Sequence, residues 1–115
     1  MLNAQTLEDL RVLGEDDADF FKKLMETFLQ TIQERLPTIE DAIQLKSAEK
    51  LSAAAHALKS SSYNLGAQAM GDLCTELEKC GKANALASVE NLLQRLKLET
   101  ELVCGEIKAL PEMKK

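Results

Sequence analysis

Tryptophan is absent from this 115-residue chain, tyrosine occurs once and phenylalanine three times, so any core must be built from aliphatic side chains. Proline and glycine are scarce as well, at two and five, which leaves too few turn residues for a succession of short strands. No uninterrupted apolar run approaches the ~20 residues of a membrane span. The opening stretch MLNAQTLEDLRVLGEDD carries acidic residues where a secretory signal needs apolar ones, and a cytoplasmic location is expected. There is no basic run and the net charge is −5, which argues against a nucleic-acid backbone or an anionic membrane surface as the partner and toward another protein. Cys74, Cys80 and Cys104 are an odd number without CxxC spacing, so they supply neither a disulfide framework nor a zinc ligand set. They read as reduced, buried thiols.

What the chain has in quantity is alanine, leucine and charged residues, the material of helices. Its length suits one domain that buries roughly two-thirds of its unfolded surface. Thr6 and Asp9 are placed to cap a short first helix that Gly14 closes. From Asp16 or Asp17, the apolar residues Phe21, Met25, Phe28, Ile32, Leu36, Ile39 and Ile43 step by four and three in one stripe to about Leu45. Pro37 predicts a kink or short break near Leu36. Ser47 is placed to cap a third helix, which Gly66 ends in a left-handed conformation. A fourth helix runs from about Ala67 to Cys80 and stops at Gly81. Asn84 then opens a last helix with the stripe Leu86, Val89, Leu93, Leu96, Val103, Ile107 and Leu110, with Thr100 in the gap, until Pro111 stops it. No segment shows two-residue alternation or an internal repeat. Helices joined by short connections pack antiparallel, so the expected fold is all-α: an antiparallel up-and-down four-helix bundle with a short additional N-terminal helix. Residues 1–110 form its single domain and residues 111–115 a flexible tail.

The only histidine, His56, lies in AHALKSSSYNLGA, residues 55–67. At about 100° per residue, Leu51, Ala54, Ala55, Leu58, Ser62 and Leu65 fill an arc roughly 100° wide, and His56 points about 150° from its middle. That phase disfavours a core histidine. Glu49, Ser52, Ser60 and Tyr63 share its side, and Lys59 stands at its shoulder one turn on. No second histidine and no cysteine joins this face, so no metal site is expected. A hydrolase triad would need a serine beside the ring, an orienting carboxylate and an oxyanion hole, which an exposed helix face does not offer. Nucleophilic chemistry remains. A solvent-facing imidazole is mainly neutral at neutral pH and keeps a ring-nitrogen lone pair for an electrophile such as a phosphoryl group. Lys59 would set a positive charge near the added phosphate, and Ser60, one turn from His56, would offer a hydroxyl donor.

These residues resemble the histidine-containing phosphotransfer (HPt) domain of multistep phosphorelays. The family's pattern is close to His-x-Leu-Lys-Gly-Ser-Ser or Ala, followed by an apolar residue and Gly-Ala. It stands here as His56, Leu58, Lys59, Ser60, Ser61 and Ser62, then Leu65, Gly66 and Ala67. The stretch LCTELE, residues 73–78, and the segment DADFFKKLMETFLQ with a proline beyond it resemble the neighbouring helices. The resemblance covers residues 16–82 in detail and the last helix in pattern only. The family's usual glycine four residues after the histidine is Ser60 here, a departure that crowds the approach to the ring. The resemblance implies that His56 accepts a phosphoryl group from the phospho-aspartate of a receiver domain and passes it to another receiver's aspartate. It implies a relay intermediate rather than an enzyme, without a cofactor of its own, the magnesium ion and acidic pocket belonging to the receiver. The implied partners are receiver domains of response regulators, a hybrid sensor histidine kinase, or both.

Docking is expected on the exposed side of the third helix, around Ser52, Ser60 and Tyr63, together with Leu10, Leu13, Phe20 and Leu24 of the first two helices. The competing assignment for those four is the core, because a wide apolar face is normal for a core-facing helix. Each stripe finds its partner within the chain, so a monomer is expected, and Met1 with a self-contained bundle suggests a free-standing module. Two other readings stay open. A non-catalytic helical-bundle adaptor would carry the same stripes with His56 incidental. The dimerisation and phosphoacceptor domain of a sensor histidine kinase typically has an acidic residue directly after the histidine and a proline soon after, where this chain has Ala57 and no nearby downstream proline.

Overall fold

The computed structural model describes residues 1–17 and 19–114. Among the described residues five helices follow one another, α1 Ala4–Leu13, α2 Phe20–Gln44, α3 Ala48–Asn64, α4 Gln68–Lys82 and α5 Val89–Ala109, before a 3-10 turn at Pro111–Lys114. Among the described residues there is no strand. Helices α2 to α5 form the expected up-and-down bundle, and the described residues together extend 46 Å by 20 Å by 20 Å. α3 packs between α2 and α4, and α5 closes the ring against α4 and α2. The short α1 meets the bundle at the α3–α4 connection, where the Asn3 N–H donates to the Gly66 carbonyl at 2.8 Å.

The stripes find one another. Met25, Phe28, Ile32 and Ile39 of α2 join Leu51, Ala55 and Leu58 of α3, Met70, Cys74 and Leu77 of α4, and Leu96, Val103 and Ile107 of α5 in one buried cluster. Truncating a fully buried leucine such as Leu58 to alanine would cost about 2–5 kcal/mol. Of the kink or short break expected near Leu36, the break does not occur: α2 runs through Pro37 without interruption. Pro37 is exposed, on the side where water can meet the carbonyl left without its N–H partner, and Ile32, Ile39 and Ile43 stay buried on both sides of it.

Three helix ends share one closure. Gly66, at φ +83°, ends α3, with Ala67 N–H donating to the Ser62 carbonyl at 2.8 Å and Gly66 N–H to that of Tyr63 at 3.2 Å. The same pair of bonds closes α2 around Lys46, at φ +54°, and α4 around Asn84, at φ +50°. Asn84 therefore terminates α4 instead of opening α5, an inversion that asparagine's tolerance of the left-handed region permits. α5 starts later, after Ser88, and Leu86 falls in the connection. Gly81, expected to stop α4, lies inside it and is buried. A Cβ there would stand 2.7 Å from the Ala48 carbonyl oxygen and 2.8 Å from the Ser52 nitrogen, so this glycine admits α3 at close range rather than making a turn.

The N-terminal boundaries move as well. α1 is capped by Asn3, whose Oδ1 accepts from the Thr6 N–H at 2.9 Å, and not by Thr6. α2 begins at Phe20 rather than Asp16 or Asp17, because Asp17 forms a turn in which its carboxylate accepts from the Asp19 N–H at 3.0 Å; Ala18, within the expected helix, lies outside the described residues. Pro111 forces Leu110 into an extended conformation, at φ −65° and ψ 142°, and residues 111–114 fold back as a docked turn. Glu112 accepts from Arg11 Nε at 2.6 Å, the guanidinium lies 4.7 Å from the centre of the Phe21 ring, and Met113 packs on the core. Lys115 lies outside the described residues.

Candidate functional site

α3 and α4 run in opposite directions, as their contacts record in order. Ser52 abuts Gly81, His56 and Lys59 meet Glu78, and Tyr63 meets Thr75 and Gly71. A Cβ at Gly71 would stand 2.4 Å from Tyr63 Cε1, so two glycines on one helix allow close approach at both ends of the pair. On the outer ridge of α3, the His56 side chain is 60% exposed, which agrees with its helical phase. Its Nδ1 lies 2.8 Å from Glu78 Oε2. The other carboxylate oxygen, Oε1, accepts from Lys59 Nζ at 2.6 Å, and Lys82 Nζ stands 3.4 Å from Oε2. Glu78 itself is only 7% exposed.

The hydrogen bond from Lys59 does most to hold the Glu78 carboxyl well below its ordinary range, at about 2, with burial opposing and the contacts to His56 and Lys82 adding to the effect. At neutral pH it is therefore a carboxylate, which can only accept. The proton between it and the ring must then sit on Nδ1, and the Nε2 lone pair is left as the nucleophilic position. The ring is supported by Glu78 of α4, and Glu78 is held in turn by Lys59 of α3, across a helix pair that approaches closely at Gly81 and Gly71.

Glu78 is the residue that sequence reasoning missed. An orienting carboxylate was judged out of reach of an exposed helix face, yet α4 supplies one from the side. The signal was present: Glu78 falls in phase with Cys74, Gly71 and Gly81, on the buried side of α4, and a charge in that stripe needs a partner. Lys59, expected at the shoulder of His56, is 24% exposed and engaged in an ion pair with Glu78. Ser60 is exposed, with its hydroxyl donating to the His56 carbonyl at 3.3 Å.

The expected docking residues divide. Ser52 is half-buried and lines a groove between α3 and α4 with Glu49, Ala53, His56 and Lys82. Tyr63 is exposed but leans onto α4, where its hydroxyl donates to Asp72 Oδ1 at 2.6 Å. Leu13 is 74% exposed. Leu10 and Leu24 are half-buried against the core, and Phe20 is half-buried with its ring against Gly14. Leu24 faces Ser61, Asn64 and Leu65, on the C-terminal half of α3, whereas the groove beside His56 opens along its N-terminal half. All three cysteines are free, and burial pushes the Cys74 thiol up to about 12. Among the described residues no group of three His, Cys, Asp or Glu is placed to hold a metal ion, and no helix is long and apolar enough to cross a membrane.

A helical bundle presenting one exposed histidine, braced from the next helix, defines a recognisable class, and the family model for the Hpt domain matches residues 23–106. The chain belongs to the Hpt domain family. It is similar to phosphorelay intermediate protein YPD1 of Candida albicans, 30% identical over 73 residues, which are 64% of this chain and 40% of that protein. The chain thus matches less than half the length of that relative. The crystal structure of histidine-containing phosphotransfer protein B (HptB) from Pseudomonas aeruginosa PAO1 superposes with a TM-score of 0.87 at 29% identity, covering 93% of this chain and 90% of that one.

Proposed function

We propose that this chain is a phosphorelay intermediate in which His56 Nε2 takes a phosphoryl group from a receiver-domain aspartate and returns it to another. The observation that carries the reading is the exposed His56 ring, held through Nδ1 by the buried Glu78 carboxylate, on a scaffold of the Hpt family. Phosphoryl transfer depends on positioning and charge stabilisation more than on covalent machinery. An accessible nucleophile in a fixed orientation is accordingly the part that a carrier must bring. The receiver brings the magnesium ion and the acidic pocket. Lys59 and Lys82 flank the approach with positive charge, and Ser60 borders it. The chain acts as a monomeric, cytoplasmic carrier rather than an enzyme, and receivers of response regulators or of a hybrid sensor kinase are its partners. Ser52, Tyr63 and the apolar residues Leu10, Leu13, Phe20 and Leu24 serve as the docking surface.

The test is incubation with a phosphorylated receiver domain and magnesium. The expected result is an acid-labile, alkali-stable phosphate on this chain, lost in His56→Gln while the unfolding free energy changes by less than about 1 kcal/mol. Uptake by His56→Gln overturns the site assignment, and failure across a broad receiver panel favours an adaptor.

A further inference from the structure

The ion pair and hydrogen bonds around Glu78 bear on the return half of the reaction, in which the phosphoryl group leaves. When neutral His56 attacks an aspartyl phosphate, the Nε2 lone pair forms the N–P bond, the P–O bond breaks, and the aspartate departs with that electron pair as a carboxylate. The ring now carries a positive charge shared between its nitrogens, with its proton still on Nδ1. In the return step an aspartate oxygen attacks phosphorus and the N–P electron pair goes back to Nε2. If Nδ1 has kept its proton, the leaving group is neutral imidazole. If that proton has escaped to solvent, the leaving group is an imidazolate, a far poorer one, and the phosphate is trapped.

Resting on the phosphotransfer reading above, we propose that Glu78 is a positioning residue that keeps the proton on Nδ1 of phosphorylated His56, so that the phosphoryl group leaves from a neutral imidazole. The geometry supports this. Oε2 sits 2.8 Å from Nδ1 and the carboxylate is shielded from water by burial. Its second oxygen is occupied by Lys59, which fixes the carboxylate and prevents it from turning away. Glu78 is held ionised, so it attracts the proton without taking it. The other charged groups around the ring are Glu49 and Lys59 on α3 and Lys82 on α4, while across Ala53 lie Lys50 of α3 and Arg35 and Asp41 of α2. Lys59 and Lys82 oppose retention of the proton, and both are already paired with Glu78. The carboxylate in direct contact dominates.

The experiment loads the 15N-histidine-labelled protein with phosphoramidate, a small donor that needs no receiver, and confirms Nε2 attachment by 31P and 15N NMR. The Nδ1 proton is then titrated in native protein, in Glu78→Gln and in an unstructured peptide containing phosphohistidine. Native protein is expected to hold the proton at least about one pH unit higher than the peptide, a tenfold difference in proton affinity, and Glu78→Gln to lose most of that advantage. In parallel, the phosphate on native protein should hydrolyse about tenfold faster at pH 8 than that on Glu78→Gln. Equal midpoints in native protein and Glu78→Gln overturn the proposal. So does a native midpoint no higher than the peptide's, a comparison that requires no variant to fold. Because loading bypasses receivers, failure of every receiver to phosphorylate the chain would count against the relay function and not against this role of Glu78.

Discussion

Replacing Glu78 with glutamine removes a charge while keeping the shape, and the consequence for stability has a defined pH dependence. In the fold the carboxyl titrates at about 2 rather than 4.5, a difference that corresponds to on the order of 3 kcal/mol of stability. Since the folded value lies below the unfolded one, this stabilisation is complete above about pH 4.5. It disappears as the pH falls toward 2, where the carboxyl protonates in both states. Glutamine has nothing to protonate, so comparing the two proteins cancels the titration of the other acidic residues. Urea unfolding at a series of pH values from 7 down to 2.5 measures the gap between them. It should be largest at neutral pH and narrow by on the order of 3 kcal/mol toward pH 2, with most of the change below pH 4.5. A gap that stayed constant across the series would refute the argument, because it would mean that Glu78 stabilises α3 against α4 through its shape and neutral hydrogen bonding alone.

Other substitutions test neighbouring parts of the structure. Lys59→Ala should slow phosphate uptake without abolishing it and cost about 2 kcal/mol in urea unfolding, because it strips the closest partner from a buried carboxylate. Gly81→Ala places a methyl group against the Ala48 carbonyl and the Ser52 nitrogen; a loss of about 1–3 kcal/mol is expected, with a weakened His56–Glu78 contact visible in the imidazole NMR signals. Ser60→Gly should speed transfer from a receiver in a stopped assay, since the hydroxyl is turned to the His56 carbonyl and its removal opens the approach, although glycine in a helix costs roughly 0.5–1 kcal/mol. Thr100 is buried and its hydroxyl has no hydrogen-bond partner among the described residues, so Thr100→Val should raise the unfolding free energy by about 1 kcal/mol.

The helices were legible because their stripes are long and regular. Phe21, Met25, Phe28, Ile32, Ile39 and Ile43 are all buried on α2, and the phase of Leu51, Ala55 and Leu58 was enough to turn His56 outward. Boundaries were less legible where one residue type serves two purposes. Glycine at position 81 and asparagine at position 84 both suggest the end of a helix, but the first meets a neighbouring backbone and the second supplies the left-handed residue. Asparagine at position 3 outcompeted Thr6 as a cap by a displacement of a single turn. Within the site, His56 and its neighbours on α3 could be placed from one helix alone. Glu78 depends on a second helix and on the distance between the two, which periodicity does not report.

The two glycines of α4 have a consequence for folding. By drawing α3 and α4 together they confine every side chain that braces His56 to a single helical hairpin, Ala48–Lys82. Bringing such near neighbours together closes only a short loop, which makes the hairpin's contacts fast to form and inexpensive in chain entropy. The surroundings of His56 can therefore assemble before α5 closes the bundle. They also survive local opening events in which α1 or the C-terminal turn detaches, since neither contributes a bond to Glu78. Amide exchange should accordingly be slower along the facing sides of α3 and α4 than in α1. The setting of His56 is thus insulated from the ends of the chain, where α1 leaves Leu13 open to solvent.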